Sequence, residues 1–308
     1  MLASKREYDV VIVGGGPAGL AAGIYTARAR LSSLLIEKML AGGWIISAGL
    51  VENYPGFPQG ISGQELAQSM EQQAAKFGLE MLTAEVTGLE LKGKRKVVKT
   101  TEGDITAKAV IIAGGSDRVK LDVPGEEEFT GKGVAYCAIC DGAFYRDLPV
   151  AVVGGSNVAI NEALELCKFA SRVTVIHRRQ ELRATKILQE RAFAEPKIEF
   201  LWNTVVEAIE GEEVVKSLRL RNVLTGEKSV LKVSGIFVAV GFKPSTDYLK
   251  GLLSLDANGA IITNEKMEAS VPGIFAAGDI RSNSIRQTIA AAGDGAVAAI
   301  YAGRFIAG

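Results

Sequence analysis

The alternation of apolar and polar positions divides the chain into recurring strand and helix signals. The run YDVVIV leads into Gly14-Gly15-Gly16-Pro17-Ala18-Gly19 and then into the helix-like LAAGIYTARA, which predicts a strand, a glycine turn and a helix. A second apolar run, PVAVVG, leads into Gly154-Gly155-Ser156-Asn157-Val158-Ala159 and the helical pattern INEALELCKFA. The unit therefore occurs twice. In a dinucleotide-binding unit the strand that follows ends near the ribose, about twenty positions past the fingerprint. SSLLIEK places Glu37 twenty-three residues after Gly14, and SRVTVIHRR places His177 twenty-three residues after Gly154. The two copies are in register.

Residues 84–113 alternate around the basic turn KGKRK and end in the apolar VIIAGGS, which predicts antiparallel strands. Pro124-Gly125 with its EEE run marks a break, and Gly241-Phe242-Lys243-Pro244 marks another. Between the breaks, KSLRLRN and KSVLKVSGIFVAVG add strand signals to the second unit. After them, GAIITNEKMEASVPGIFAAGDI predicts a short strand and a glycine–aspartate turn ahead of a last helix. That stretch has no glycine-turn unit of its own, so it must complete the first domain. The expected fold is α/β, with two Rossmann-like dinucleotide-binding domains of three-layer ββα architecture, the second inserted into the first. The expected boundaries are 1–117 and 246–308 for the outer domain and 118–245 for the inserted one.

Composition agrees with two cores, since the chain has 308 residues of which 48% are hydrophobic. Basic and acidic residues number 35 each, so no global charge draws the protein to nucleic acid or an anionic membrane. The apolar C-terminal stretch TIAAAGDGAVAAIYAGRFIAG is interrupted by Asp294, Arg304 and several glycines. It reads as a buried helix and not as a membrane span. The opening MLASKREYDVVIV lacks a leader's layout, because its apolar run from Val10 ends at the glycine cluster. A soluble, cytoplasmic protein is expected.

In the first unit, Gly14, Gly16 and Gly19 suit a tight turn, close approach of a pyrophosphate to bare backbone, and helix packing. Pro17 and Ala18 open the helix whose N-terminus favours negative charge. Glu37 can accept from both ribose hydroxyls and repels a 2′-phosphate, which points to FAD or NAD. In the second unit, Gly154, Gly155, Asn157 and Val158 repeat the pattern, but His177 is followed by Arg178 and Arg179, with Arg183 beyond. Guanidiniums at a ribose edge suit a phosphate dianion, hence NADPH over NADH; the plain alternative is a solvated basic face. Ser156 stands where a second glycine is expected, and its Cβ adds bulk and penalises positive φ.

Cys137 and Cys140 lie between the two units, and Cys167 is the third and last cysteine. With a single histidine in the chain, a zinc site lacks partners. A structural disulfide and a redox centre remain, and the neighbourhood of dinucleotide fingerprints suits reversible exchange of electrons with a flavin. Asp141 beside the pair can move protons as thiolates form, or can simply cap its turn. Cys167, at helical spacing from Ala163 and Leu164, reads as a small buried hydrophobe. His177 is a ribose-side contact or a packing residue. Trp44 and Trp202 read as packing groups, with Trp44 also able to lie over a cofactor.

GGGPAG, VENYPG, CAICDG, HRR with its following arginine, and GIFAAGD with RQ occur in this order along the chain. Together they resemble the low-molecular-weight thioredoxin reductases of the FAD-dependent pyridine nucleotide-disulfide oxidoreductases. The resemblance implies a cytoplasmic homodimer in which NADPH reduces FAD, FAD reduces the Cys137/Cys140 disulfide, and the dithiol reduces thioredoxin or a glutaredoxin-like protein. It also implies that Cys140 is the sulfur nearest the flavin, that Cys137 attacks the partner, and that Asp141 is the acid/base. Gly278 and Asp279 would bind the flavin's ribitol or phosphate side, Arg286 and Gln287 would sit by its rings, and Asn53 would lie close to them. Gly43-Trp44 departs from the glycine–glutamine usual in the family, and Ser156 from its glycine. Other readings remain: a flavin reductase of ferredoxin–NADP type, which needs no cysteine pair; a related reductase with another donor (ferredoxin or NADH) or another acceptor; and a flavin-binding redox module without turnover.

Overall fold

The computed structural model describes residues 6–308; the segment MLASK, which opens the stretch read above as lacking a leader, lies outside the described residues. The chain forms two compact units, one from residues up to Asp117 with Lys243–Gly308, the other from Arg118–Phe242. Both are α/β units built on parallel sheets, and the sequence of the second is inserted within that of the first.

In the outer unit a parallel sheet runs Glu80–Thr83, Ser33–Glu37, Glu7–Val13, Ile105–Ile112 and Ile274–Ala276. Its inner strands are continuous apolar runs because both faces are covered. Val10, Ile12 and Leu35 face one cluster with the helices, whereas Val11, Val13, Leu34 and Ile36 face another. The antiparallel strands expected over 84–113 are Val86–Lys92, Arg95–Thr100 and Ile105–Ile112. The far edge of the last is shared: Ile105–Ala107 takes Arg95–Thr100 antiparallel, and Val110–Ile112 takes Ile274–Ala276 parallel. That sharing is how the C-terminal segment completes the first unit.

The helix Thr288–Ala307 is long and apolar enough to cross a membrane by length and composition. It packs instead on the helix Pro17–Arg28, burying a stripe that includes Ala292, Gly295, Ala299 and Ala302. At Gly295 a Cβ would lie 2.0 Å from the Ala18 carbonyl oxygen, so only glycine allows this approach.

In the inserted unit the parallel sheet runs Ile198–Trp202, Arg172–His177, Pro149–Val153, Gly235–Val238 and Val134–Ala135. Val150, Val152 and Phe237 pack with residues of the helix Asn157–Leu166 on one face. Ala151, Val153 and Val238 pack on the other face against Leu218 and Leu220 of the antiparallel strands Thr204–Gly211, Val215–Asn222 and Lys228–Lys232.

The break expected at Gly241-Phe242-Lys243-Pro244 holds the boundary between the units, between Phe242 and Lys243. Phe242–Pro244 is at the same time a short strand paired with Ser116–Arg118, which the sequence did not predict. The Val119 N–H donates to the Gly241 carbonyl at 3.0 Å and the Ser245 N–H to that of Gly115 at 3.2 Å, so the two crossovers run side by side. Pro244 closes the strand, where its missing N–H costs no ladder bond. The helix read through INEALELCKFA stops at Leu166. Past it the Lys197 ammonium donates to the carbonyls of Cys167 and Ala170, at 2.8 and 2.9 Å, satisfying acceptors that a longer helix would have used.

Candidate active site

The first glycine turn has the shape of an anion cradle. Gly14 has φ +103°, and a Cβ there would lie 2.4 Å from the Ala113 carbonyl oxygen. At Gly19 a Cβ would fall 1.8 Å from the Gly14 oxygen. Gly16 differs: it caps the helix in extended conformation without a side-chain bond, and nothing lies within 3.9 Å of where its Cβ would be. The first-turn amides after Pro17 are thus left for an anion to satisfy. The loop that follows the next strand closes over this turn, with the Gly42 N–H donating to the Gly15 carbonyl at 2.7 Å and Gly43 seated against Gly16.

Glu37 ends its strand beside the turn, one oxygen accepting from the Gly15 N–H at 2.7 Å and the other from Met39 N–H at 3.0 Å. Each oxygen keeps a lone pair for a ribose hydroxyl. A cavity of about 450 Å³ opens beyond, lined by Gly14, Glu37, Ala84, Glu85 and Tyr248 among others. An adenosine fits a space of this size and lining, so these residues fit FAD.

Elsewhere in the outer unit Asn53 and Gln287 meet, the amide nitrogen of Asn53 donating to the Gln287 oxygen at 2.9 Å. Arg286 takes a left-handed φ of +54°. Asp279 accepts from the Ser284 hydroxyl at 3.1 Å, and burial pushes its carboxyl above the ordinary range against the pull of Ser284 and Arg286. The turn carrying Asp279 is fixed by a residue not anticipated as part of the site. Buried Asp294 accepts from the Gly278 N–H at 3.1 Å and forks onto Arg281 at 2.6 and 2.9 Å. An acid inside an otherwise apolar helix was the signal that marked it. Trp44 donates its indole N–H to the Ser116 carbonyl at 2.6 Å, which ties the loop after Glu37 to the start of the crossover.

The second glycine turn repeats the first with two differences. Gly154 has φ +151°, and its Cβ would meet the Ala239 oxygen at 2.4 Å. Ser156, however, caps the helix at φ −90°, where any residue is unstrained. The penalty expected for positive φ does not arise; only the bulk of its Cβ remains. The helix Asn157–Leu166 again starts without a side-chain cap. Asn157 accepts from the Thr185 N–H at 2.7 Å, and the N–H groups of Arg183 and Ala184 donate to the Gly155 carbonyl. Those bonds bring Arg183 to the turn.

Arg178, Arg179 and Arg183 are exposed and form no ion pair among the described residues, which leaves their guanidiniums for a phosphate. His177 is buried, its Nε2 3.0 Å from the Glu181 oxygen and its ring against Gly155 and the edge of Trp202. Burial, together with the three arginines, lowers its pKa below the ordinary histidine value. It sits as a neutral packing ring beneath the turn, and Trp202 stacks in turn on Phe200 at 4.9 Å. These residues fit NADPH. Arg178→Ala with Arg179→Ala is expected to cut the preference for NADPH over NADH about 10- to 100-fold, because hydrogen bonds to charged groups are worth about 1.5–3 kcal/mol. Steady-state kcat/KM for the two nucleotides checks this.

Cys137 and Cys140 form a disulfide with Cα atoms 5.4 Å apart. It spans the single turn Ala138–Asp141, whose amide at Cys140 points to the Cys137 sulfur at 3.2 Å. Cys137 is half-buried and Cys140 exposed. Burial raises the pKa of Asp141, so it holds a proton more readily than a surface aspartate. Cys167 is buried, its sulfur 3.1 Å from the Ala163 oxygen, and burial pushes its thiol up to about 12. It stays protonated and inert. A buried ion pair escaped the reading of the sequence: Arg118 meets Glu162 of the helix Asn157–Leu166 at 2.7 Å.

Two nucleotide cradles, one in each unit, and a CxxC disulfide define the class, and a family model described as pyridine nucleotide-disulphide oxidoreductase matches residues 8–295. The chain belongs to that family, and within it to the thioredoxin reductases. It is 45% identical to the thioredoxin reductase of Peptoclostridium acidaminophilum over 98% of each chain. It is 46% identical to that of Bacillus subtilis, over 97% of this chain and 94% of the other. The solved Lactococcus lactis thioredoxin reductase matches with a TM-score of 0.95 at 43% identity, over 97% of this chain and 99% of that one. The chain is accordingly an oxidoreductase acting on a disulfide, with FAD and NADPH as its cofactors.

Proposed function

We propose that the protein reduces a thioredoxin-like protein disulfide at Cys137/Cys140, with the outer unit (up to Asp117, with Lys243–Gly308) holding FAD and the inserted unit (Arg118–Phe242) holding NADPH. The observation that carries this is the Cys137–Cys140 disulfide, followed by half-buried Asp141, in the same unit as the second nucleotide turn. When bound, NADPH supplies a hydride and FAD passes its electron pair to the disulfide.

The chain's own residues do the rest. Gly14, Gly16 and the start of the helix at Pro17 take the FAD pyrophosphate, and Glu37 its ribose. Asp279 faces the ribitol side, with Asn53, Arg286 and Gln287 by the ring system. Gly154–Val158 take the NADPH pyrophosphate, and Arg178, Arg179 and Arg183 its 2′-phosphate. Once the pair is reduced, the Cys137 thiolate attacks one sulfur of the partner disulfide, and the partner's other sulfur leaves as a thiolate. Cys140 thiolate then attacks Cys137, re-forming the disulfide and releasing the second partner thiolate. Asp141, its pKa raised by burial, holds the proton exchanged with the pair. The protein works as a cytoplasmic homodimer, a compartment supported by the use of only three cysteines.

Anaerobic titration of the purified FAD protein with NADPH, NADH and reduced ferredoxin, followed by addition of oxidised thioredoxin, tests the reading. NADPH should bleach the flavin at the lowest concentration, and thioredoxin should restore the colour. Bleaching by ferredoxin alone would assign another donor, and a bleached flavin that thioredoxin leaves unchanged would assign another acceptor.

A further inference from the structure

Glu126 is a buried carboxylate that none of these roles uses. It follows Pro124-Gly125 in the acidic run that the sequence marks as a break, yet it is only 3% exposed. One of its oxygens accepts from the Leu121 N–H and from the Tyr136 hydroxyl, both at 2.9 Å. The other accepts from the Asp122 N–H at 2.7 Å. The backbone it grips includes Asp122 at φ +56°, in the left-handed region that most non-glycine residues avoid. Its own carbonyl accepts from the Thr130 hydroxyl at 2.7 Å, which anchors Glu126 to the turn behind it.

The third partner makes the arrangement functional, since Tyr136 directly precedes Cys137. Burial, with the hydrogen bond and charge of Glu126, pushes the Tyr136 hydroxyl up to about 12, so it remains a donor across the working pH range. One carboxylate therefore joins the segment entering the inserted unit to the residue immediately before the first cysteine. Three donors converge on two oxygens, a geometry that fixes orientation and not merely contact.

We infer that Glu126 is a positioning residue of the redox pair: through the Tyr136 hydroxyl it fixes the Cys137 end of the disulfide, and so sets how readily the pair is reduced. The inference rests on the redox reading of Cys137/Cys140 but not on the identity of the protein partner. Glutathione can stand in for that partner, as the disulfide and two glutathiones exchange to the dithiol and one glutathione disulfide.

Tyr136→Phe keeps the ring and removes only the donor; Glu126→Gln keeps the shape but sets an amide against the Asp122 N–H. The FAD-loaded protein and both variants are equilibrated in glutathione buffers and quenched with a mass-tagged alkylating agent, with Cys167 as the internal unreactive control. Each variant is expected to shift the equilibrium constant of the pair about tenfold and to change the pH dependence of Cys137 alkylation. KM for NADPH should not move. If both constants and both pH profiles stay within twofold of the parent while unfolding midpoints fall, Glu126 is purely structural and the inference fails. Should Glu126→Gln not fold, Tyr136→Phe alone decides. If no glutathione ratio reduces the pair in the parent protein, it is the redox reading that fails.

Discussion

Cys137→Ser is expected to abolish reduction of protein disulfides, by about three orders of magnitude or more, while leaving FAD bound and NADPH consumption by the flavin intact. The size follows from the chemistry, because a serine hydroxyl cannot take over thiolate attack or form a mixed disulfide. Cys140→Ser should match it in steady state, and the two differ in what they trap. Exposure alone would make Cys140 the attacking sulfur, since it is exposed and Cys137 half-buried. The family resemblance makes it Cys137. A single-cysteine thioredoxin activated with thionitrobenzoate separates these cases, since attack releases the coloured thiolate and leaves a covalent complex. Cys140→Ser should form that complex faster than Cys137→Ser, as read by thionitrobenzoate absorbance and intact mass. The reverse order would exchange the roles of the two sulfurs, and activity surviving in both variants would end the disulfide mechanism.

The repeated strand–turn–helix unit was legible because its demands are local. Gly14, Gly16 and Gly19, and their counterparts from Gly154, answer to backbone geometry within a few residues, and the shared spacing to Glu37 and His177 ties each to its next strand. The pairing of Cys137 with Cys140 is equally local. What escaped was set by contacts between distant segments. Glu126 stood in the acidic run that marks a break, and only the convergence of Leu121, Asp122 and Tyr136 upon it shows a buried hub. Asp294 was visible as an interruption in an apolar helix, but its fork with Arg281 and its bond to the Gly278 amide need the helix packed in place. Ser156 was misjudged for a related reason. The fingerprint tells which positions are glycine but not which of them need positive φ, and at the helix cap the conformation suits any residue.

Glu162→Ala should cost the inserted unit about 3–5 kcal/mol, because it leaves the buried Arg118 guanidinium without its carboxylate. Urea unfolding of a Trp44→Phe background, which leaves Trp202 as the only indole and reports the inserted unit, measures this at pH 8. The pH dependence adds a second, independent signature. Burial raises the Glu162 carboxyl from 4.5 to about 7 in spite of the opposing pull of Arg118. Between those values the folded protein binds a proton that the unfolded chain does not. The contribution to stability is therefore full below about 4.5 and is lost as the pH rises through about 7. Glu162→Gln cannot titrate, so its stability profile should be flatter than the parent's between pH 5 and 7.5, by up to about 1.4 kcal/mol for each pH unit. Profiles for Glu162→Gln and the parent that run parallel through this window would show that the carboxyl titrates in its ordinary range. In that case the Arg118 charge, and not burial, governs Glu162, and the helix bearing the second nucleotide turn is held by a fully ionised pair.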